Sequence, residues 1–344
     1  MPLERGKGMS QQKILLAHGS GGKLSHDLIQ EIFLPHFLNP FLQPLDDGAR
    51  INNQEGFLAF TTDSYVVNPI FFPGGDIGKL AVFGTVNDLS MLGAVPSYLS
   101  LALIIEEGLS VELLERVVTS VREAAELAGV NVVTGDTKVV EHGAADRLFI
   151  NTAGIGWINS GIHLSSTNAM PGDRVLLSGF LGDHEIAVLS QREGFGFEGS
   201  LKSDCAPLNG LVQEMLEVCP SIRCLRDPTR GGLATTLNEI ASMSKVGMTI
   251  EEEKVPVRDA VRGISELLGL DPLYLANEGK LIAVCPAHEA EKVLELMKSH
   301  PLSKDAEIIG RVTEENAKRV TLRTLIGGHR ILDMLTGAQY PRIC

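Results

Sequence analysis

The feature that most constrains this chain is an alternation of strand-like and helix-like segments, interrupted by the turn Met170-Pro171-Gly172-Asp173. Ahead of that turn, strand-like Phe57 to Thr62 stops at Asp63, and apolar residues recur at helical spacing from Ile77 to Leu92. Tyr98 to Ile105 reads as a strand, Val111 to Ala128 as a helix capped by Ser110, and Val130 to Thr134 as a short buried strand. Leu148 to Trp157 adds another strand, and an earlier helix is expected to end near Phe37. Beyond the turn, strands are expected at Val175–Ser178, Met248–Ile250, Lys280–Val284, Ala306–Val312 and Arg319–Leu322. Helices are expected near Asp183–Arg192, Leu208–Val218, Gly232–Met243, Val261–Leu268 and Glu289–His300. This pattern predicts an α+β protein of two mixed α/β domains. The expected organisation is an N-terminal extension over 1–13, a domain over 14–165, a second over 166–335 and a flexible tail over 336–344. A length of 344 residues gives each domain enough chain for its own core.

Charge and apolar patterning exclude several classes of function. The net charge of −13 repels polyanions, and no Lys/Arg-rich run with interleaved aromatics is present, so nucleic acid is not an expected partner. A nucleotide stays compatible, because carboxylates that hold Mg²⁺ let the metal neutralise phosphate. The first residues lack the apolar core of a signal peptide, and the longest apolar stretch, around Tyr98 to Ile105, is too short for a bilayer. A cytoplasmic protein with no membrane partner is expected. Cys205, Cys219, Cys224 and Cys285 form no CxxC pair, which suits core or surface thiols in a reducing compartment.

Acidic residues sit where strands or helices end, beside small residues and threonines: Asp46-Asp47, Asp63, Asp88, Asp136 in Gly135-Asp136-Thr137-Lys138, and Asp227. Mg²⁺ and phosphate need such pieces, with hard oxygens for the metal and backbone N–H groups and a lysine for the phosphates. Singly, each also fits a helix cap or a turn. Asp88 stands out, because a carboxylate inside an apolar helical stretch is costly without a partner. The loop His18-Gly19-Ser20-Gly21-Gly22-Lys23 can fold its N–H groups over a phosphate, yet it is neither a P-loop nor a dinucleotide fingerprint. Thr229-Arg230-Gly231-Gly232 offers backbone donors to an anion or simply starts a helix. Asn277-Glu278-Gly279-Lys280 presents a carboxylate suited to general base chemistry, although composition alone favours a solvated turn.

The sequence ends on Cys344, in Gln339-Tyr340-Pro341-Arg342-Ile343-Cys344. A thiol in that position can enter another active site, which makes the tail a candidate chemical carrier. Pro341 favours extended backbone, and the nine residues from Thr336 reach about 30 Å when extended. Prenylation does not fit, since its cysteine lies four residues from the end.

The order Leu16-Ala17-His18-Gly19-Ser20-Gly21-Gly22, Thr62-Asp63-Ser64-Tyr65, Phe71-Phe72-Pro73-Gly74-Gly75, Val133-Thr134-Gly135-Asp136-Thr137-Lys138, Leu181-Gly182-Asp183-His184, Ala276-Asn277-Glu278-Gly279-Lys280 and Pro341-Arg342-Ile343-Cys344 resembles the HypE family. These are nickel-iron hydrogenase maturation proteins, or carbamoyl dehydratases, of the superfamily of aminoimidazole ribonucleotide synthetase and selenophosphate synthetase. The resemblance implies that fold, with N-terminal-domain strands of two chains closing a barrel in a homodimer. It implies that HypF places a carbamoyl group on Cys344, that ATP activates the carboxamide oxygen, and that loss of phosphate leaves a thiocyanate. The cyano group then passes to iron on a HypC–HypD complex. It further implies Glu278 as base and Lys138 as a phosphate or amide contact. Asp47, Asp88 and Asp227 become Mg²⁺ ligands, with Asp46 able to replace Asp47. The expected ATP contacts are His18, Gly19, Gly21, Gly22, Asp63, Asp88, Thr134, Gly135, Asp136 and Thr137. Two other readings stay open on the residues: a different ATP-using enzyme of the superfamily, and a non-catalytic carrier of a modified thiol.

Overall fold

The computed structural model describes residues 13–19, 23–43, 51, 56–192 and 201–335. An opening turn over Leu16–Gly19 leads to α1 (Lys23–Leu28), a π-helical stretch over Ile29–Phe33 and α2 (Leu34–Phe37). The expected single helix is therefore broken. Pro35 has no N–H to continue the ladder, and the wider turn absorbs that loss. Strand β1 (Phe57–Tyr65) and the short pair β2 (Phe71–Phe72) and β3 (Gly75–Asp76) precede α3 (Ile77–Met91). Then come β4 (Ala94–Glu106), α4 (Val111–Ala128), β5 (Asn131–Val140) and β6 (Leu148–Ile158).

The first sheet has the order β1-β6-β4-β5, antiparallel except for the β4–β5 pair, which α4 connects. Its strands alternate. Leu99, Leu101, Leu103, Ile105, Leu148 and Ile150 point into a core shared with α3 and α4. The α4 helix starts where Ser110 accepts the Leu113 N–H and ends at Gly129, whose φ of 70° suits glycine. The α3 helix is capped by Asp76, which accepts from the N–H groups of Gly78 and Lys79. All its residues except Lys79 and Asp88 are buried. In this chain only one face of the first sheet is covered, and the other leaves Phe60 64% and Ile104 42% exposed.

Strand β5 also differs from expectation, running to Val140 instead of stopping at Thr134. Its second half, Gly135-Asp136-Thr137-Lys138, lacks apolar alternation because it lies on the sheet edge, and pairing with β4 carries it on.

The second domain comprises β7 (Arg174–Leu177), α5 (Asp183–Arg192), α6 (Asn209–Val218), β8 (Cys224–Arg226), α7 (Gly232–Ser244), β9 (Gly247–Glu251), α8 (Asp259–Leu268), β10 (Ile282–Cys285), α9 (Ala290–Ser299), β11 (Glu307–Thr313), β12 (Val320–Arg323) and β13 (His329–Leu332). Its seven strands have the order β13-β12-β9-β11-β7-β10-β8. Alternation on the central strands is complete: Val175, Leu177, Ile282 and Val284 pack with α7, while Leu176, Ala283 and Cys285 pack with α6 and α9. Strand β13 carries no signal in sequence, being exposed except at Leu332.

The domains share a seam. Ile186, Val188 and Leu189 of α5, with Val261 and Ile264 of α8, join the core of the first domain. Asn209 of α6 donates to the Ala128 carbonyl at 2.8 Å. At the far end of the second domain, the Leu335 N–H meets Thr235 Oγ1 at 3.4 Å, at the start of α7. Among the described residues, no helix is long and apolar enough to cross a membrane.

Candidate active site

Four carboxylates predicted from sequence meet at the seam. The two-residue period of β1 turns Thr61, Asp63 and Tyr65 toward α3, where the Thr61 hydroxyl donates to Asp88 Oδ2 at 3.2 Å. Asp227 follows β8, and Glu278 lies in the turn before β10. Burial, then the nearby charges of Asp227 and Asp63, raises the Asp88 carboxyl to about 7. Burial raises Asp227 as well. Glu278 is held well above the ordinary carboxylate range, first by burial and then by Asp227, Asp204, Asp63 and Asp88. Arg226 opposes the shifts of Asp88 and Asp227, and its Nη2 is paired with Glu239 at 2.7 Å.

The turn bearing Glu278 is enclosed rather than solvated, with Asn277 and Gly279 buried. Asp204 Oδ1 accepts the Glu278 N–H at 3.1 Å, and Asp204 Oδ2 lies 3.3 Å from Lys280 Nζ in a buried ion pair. A Cβ on Gly279 would collide with the Asp204 carbonyl, so this close approach requires glycine. Asn277 places its Oδ1 on the Gly182 N–H at 2.8 Å and donates to the Pro228 and Leu275 carbonyls. The Ala276-Asn277-Glu278-Gly279-Lys280, Gly182-Asp183-His184 and Asp227 segments thereby become one body.

A second locus is a cavity of about 680 Å³ between the edge of β5 and the helical segment 23–37. Its lining includes His18, Gly19, Thr134, Gly135, Asp136, Thr137 and Lys138. Gly19 lies so close to the backbone of Val139 that a Cβ there would clash, which seats the opening turn on β5. Lys138 Nζ stands 3.5 Å from Asp136 Oδ2, and both side chains are exposed.

The predicted residues thus fall into two groups: His18, Gly19 and Thr134 to Lys138 at the cavity, and Asp63, Asp88, Asp227 and Glu278 at the seam. Gly21, Gly22, Asp46, Asp47 and Cys344 lie outside the described residues. Among the described residues no three His, Cys, Asp or Glu side chains are grouped so as to hold a metal ion. Sequence reasoning passed over Asp204 and left Asn87 and Lys280 without roles. Asn87, a second polar residue beside Asp88 in an apolar helix, was the available signal. Asp204 had none.

Residues 45–158 match the AIR synthase related protein N-terminal domain, and residues 170–323 match the AIR synthase related protein C-terminal domain. Fold and site define a two-domain member of the AIR synthase related proteins. Thiamine monophosphate kinase from Aquifex aeolicus has the same fold at TM-score 0.59 and 22% identity. The chain is 53% identical over 329 residues to carbamoyl dehydratase HypE of Azotobacter vinelandii, covering 96% of either chain. It is 49% identical over 336 residues to carbamoyl dehydratase HypE of Escherichia coli, covering 96% of this chain and 99% of that one. A crystal structure of hydrogenase maturation protein HypE in complex with ATP superposes at TM-score 0.92, with 54% identity, over 96% of this chain and 99% of the other. HypE from a HypE–HypF complex superposes at TM-score 0.79, with 52% identity, over 90% and 99%. The chain belongs to the HypE family of hydrogenase maturation carbamoyl dehydratases.

Proposed function

We propose that this enzyme uses ATP to dehydrate an S-carbamoyl group on its own Cys344 to a thiocyanate, which supplies the cyanide ligand of nickel-iron hydrogenase. The balance is R–S–C(O)NH₂ + ATP → R–S–C≡N + ADP + phosphate + H⁺. Phosphoryl transfer to the carboxamide oxygen turns a poor leaving group into a good one. The two nitrogen protons must also depart, and the observation that carries the reading is Glu278, a carboxylate held in the seam at raised proton affinity. A base tuned in this way accepts a proton near neutral pH more readily than an ordinary carboxylate.

Binding of ATP is supported by the cavity between the opening turn and β5, where His18, Gly19 and Thr134 to Thr137 would surround the nucleotide and Lys138 would contact the transferred phosphate or the activated amide; Gly21 and Gly22 are further proposed contacts that lie outside the described residues. Asp63 and Asp88 complete the contacts at the seam. Mg²⁺ suits the donor set, since Asp88 and Asp227 are half-buried carboxylates repelling one another. Asp47, Asp88 and Asp227 would hold the ion, which supplies neutralising charge to the phosphates. HypF is the carbamoyl donor and a HypC–HypD complex the acceptor of the cyano group. The open face of the first sheet, with Phe60 and Ile104 exposed, supports a homodimer closing a barrel. The free thiols Cys205, Cys219, Cys224 and Cys285 support a cytoplasmic setting.

The test is the intact mass of protein carbamoylated at Cys344 by HypF, before and after Mg-ATP. Loss of one water is expected in the wild type and in Cys205→Ala. Lys138→Ala and Glu278→Gln should retain the carbamoyl group, and Cys344→Ala should never acquire it. A stable carbamoyl group on wild-type protein that demonstrably binds ATP would overturn the reading.

A further inference from the structure

Glu278 owes its place to groups far from it in sequence, and the most exacting of these is Asn87. That side chain, 2% exposed on α3, spends its whole amide on the other domain. Its Oδ1 accepts the Leu208 N–H at 2.8 Å, and its Nδ2 donates to the Ala206 carbonyl at 3.1 Å and the Glu278 carbonyl at 3.4 Å. All three partners are backbone groups. An N–H can only donate and a carbonyl can only accept, so the amide has one permitted orientation.

The Glu278 peptide is gripped on both sides. Its N–H goes to Asp204, and its carbonyl is shared by Asn87 and the Ala206 N–H, at 3.5 Å. The 204–208 strap therefore lies between α3 and the turn before β10, with Gly279 pressed against the Asp204 carbonyl. Asn87 and Asp88 are consecutive, so their side chains leave the helix about 100° apart. One face of α3 offers a carboxylate to Asp63 and Asp227, and the adjoining face fixes the backbone of the base.

We infer that Asn87 is a positioning residue that sets the location of Glu278 relative to the acidic cluster of the first domain. Its effect on rate rests on the dehydratase reading above, whereas its effect on the Glu278 turn does not. Asn209 is the natural control, because its Nδ2 also bridges the domains, donating to the Ala128 carbonyl and not to the backbone of the strap or the turn.

The experiment compares Asn87→Ala, Asn87→Asp and Asn209→Ala in full-length protein. Asn87→Asp retains the acceptor for Leu208 but sets a carboxylate oxygen against two carbonyls, and it serves if Asn87→Ala does not fold. Two readouts are taken: hydrogen exchange over residues 275–281, and the single-turnover rate of water loss from protein carbamoylated by HypF, alongside ATP affinity. The Asn87 variants should exchange at least about tenfold faster in 275–281. They should lose about 100-fold in rate, the scale of an ångström-sized misplacement, with ATP affinity within about threefold of wild type. Asn209→Ala should match wild type in both readouts. Unchanged exchange over 275–281 in the Asn87 variants, or equal rate losses in Asn209→Ala, would overturn the inference. A wild type that keeps its carbamoyl group would count against the dehydratase reading, and the exchange comparison would still decide the placement of Glu278.

Discussion

Glu185 is 3% exposed and accepts the Ala276 N–H at 2.6 Å, and burial raises its carboxyl to about 7. A carboxyl whose folded value is raised favours the fold while protonated. Its contribution is fully present below about 4.5 and is lost as pH rises through about 7. Glu185→Gln should therefore be more stable than wild type by about 1–3 kcal/mol at pH 8, with little difference near pH 4, as read from urea midpoints at both pH values. Gly279→Ala belongs to the same scale. The Asp204 carbonyl occupies the space of the new methyl, and a loss of about 3 kcal/mol or more is expected in the same assay, as overpacking against backbone has no flexible neighbour to yield. These positions also mark how far single residues could be read. Asp88 was legible because a carboxylate is conspicuous in an apolar helix. Glu278 was ambiguous because what encloses it is the 204–208 strap, some seventy residues earlier and without a motif.

Helix α3 packs against β1, β4 and β6 of the first sheet, and its N-terminus is tied to α4 by one side chain. Asp76 accepts from the N–H groups of Gly78 and Lys79 and, through both carboxylate oxygens, from the Ser120 hydroxyl at 2.7 Å. Asp76→Ala should cost about 2–3 kcal/mol in denaturant unfolding, combining a lost cap with an orphaned buried hydroxyl, whereas Ser120→Ala should cost less. Periodicity located α3, α4 and the helices after residue 174 because each buries an apolar stripe or is apolar throughout. It failed for β13 and for the second half of β5, which lie at sheet edges where pairing, not burial, holds the strand. It also missed the π-helical turn, whose cause is Pro35 and the packing around it.

At the level of the whole molecule, the two-domain division was legible because one turn separates two runs of alternation, and β6 and β7 end and begin on either side of it. The seam was not legible, since residues such as Ile186 and Val261 read in sequence as core of their own domain yet pack into the other. The uncovered sheet face yields a prediction of its own. Under the homodimer proposed above, Phe60→Glu should leave the circular dichroism of the protein intact while shifting its sedimentation from dimer to monomer, because a carboxylate in an apolar interface cannot be solvated there. The contact between Leu335 and Thr235 has a kinetic consequence. It fixes the point from which the last nine residues depart, one helical turn beyond Gly232, which itself abuts Leu275 beside the Glu278 turn. Under the proposed reaction, a thiol leashed at that point would meet Glu278 at an effective concentration on the order of millimolar, whatever the amount of protein in solution. Water loss should accordingly be first order, with a half-time that dilution does not lengthen.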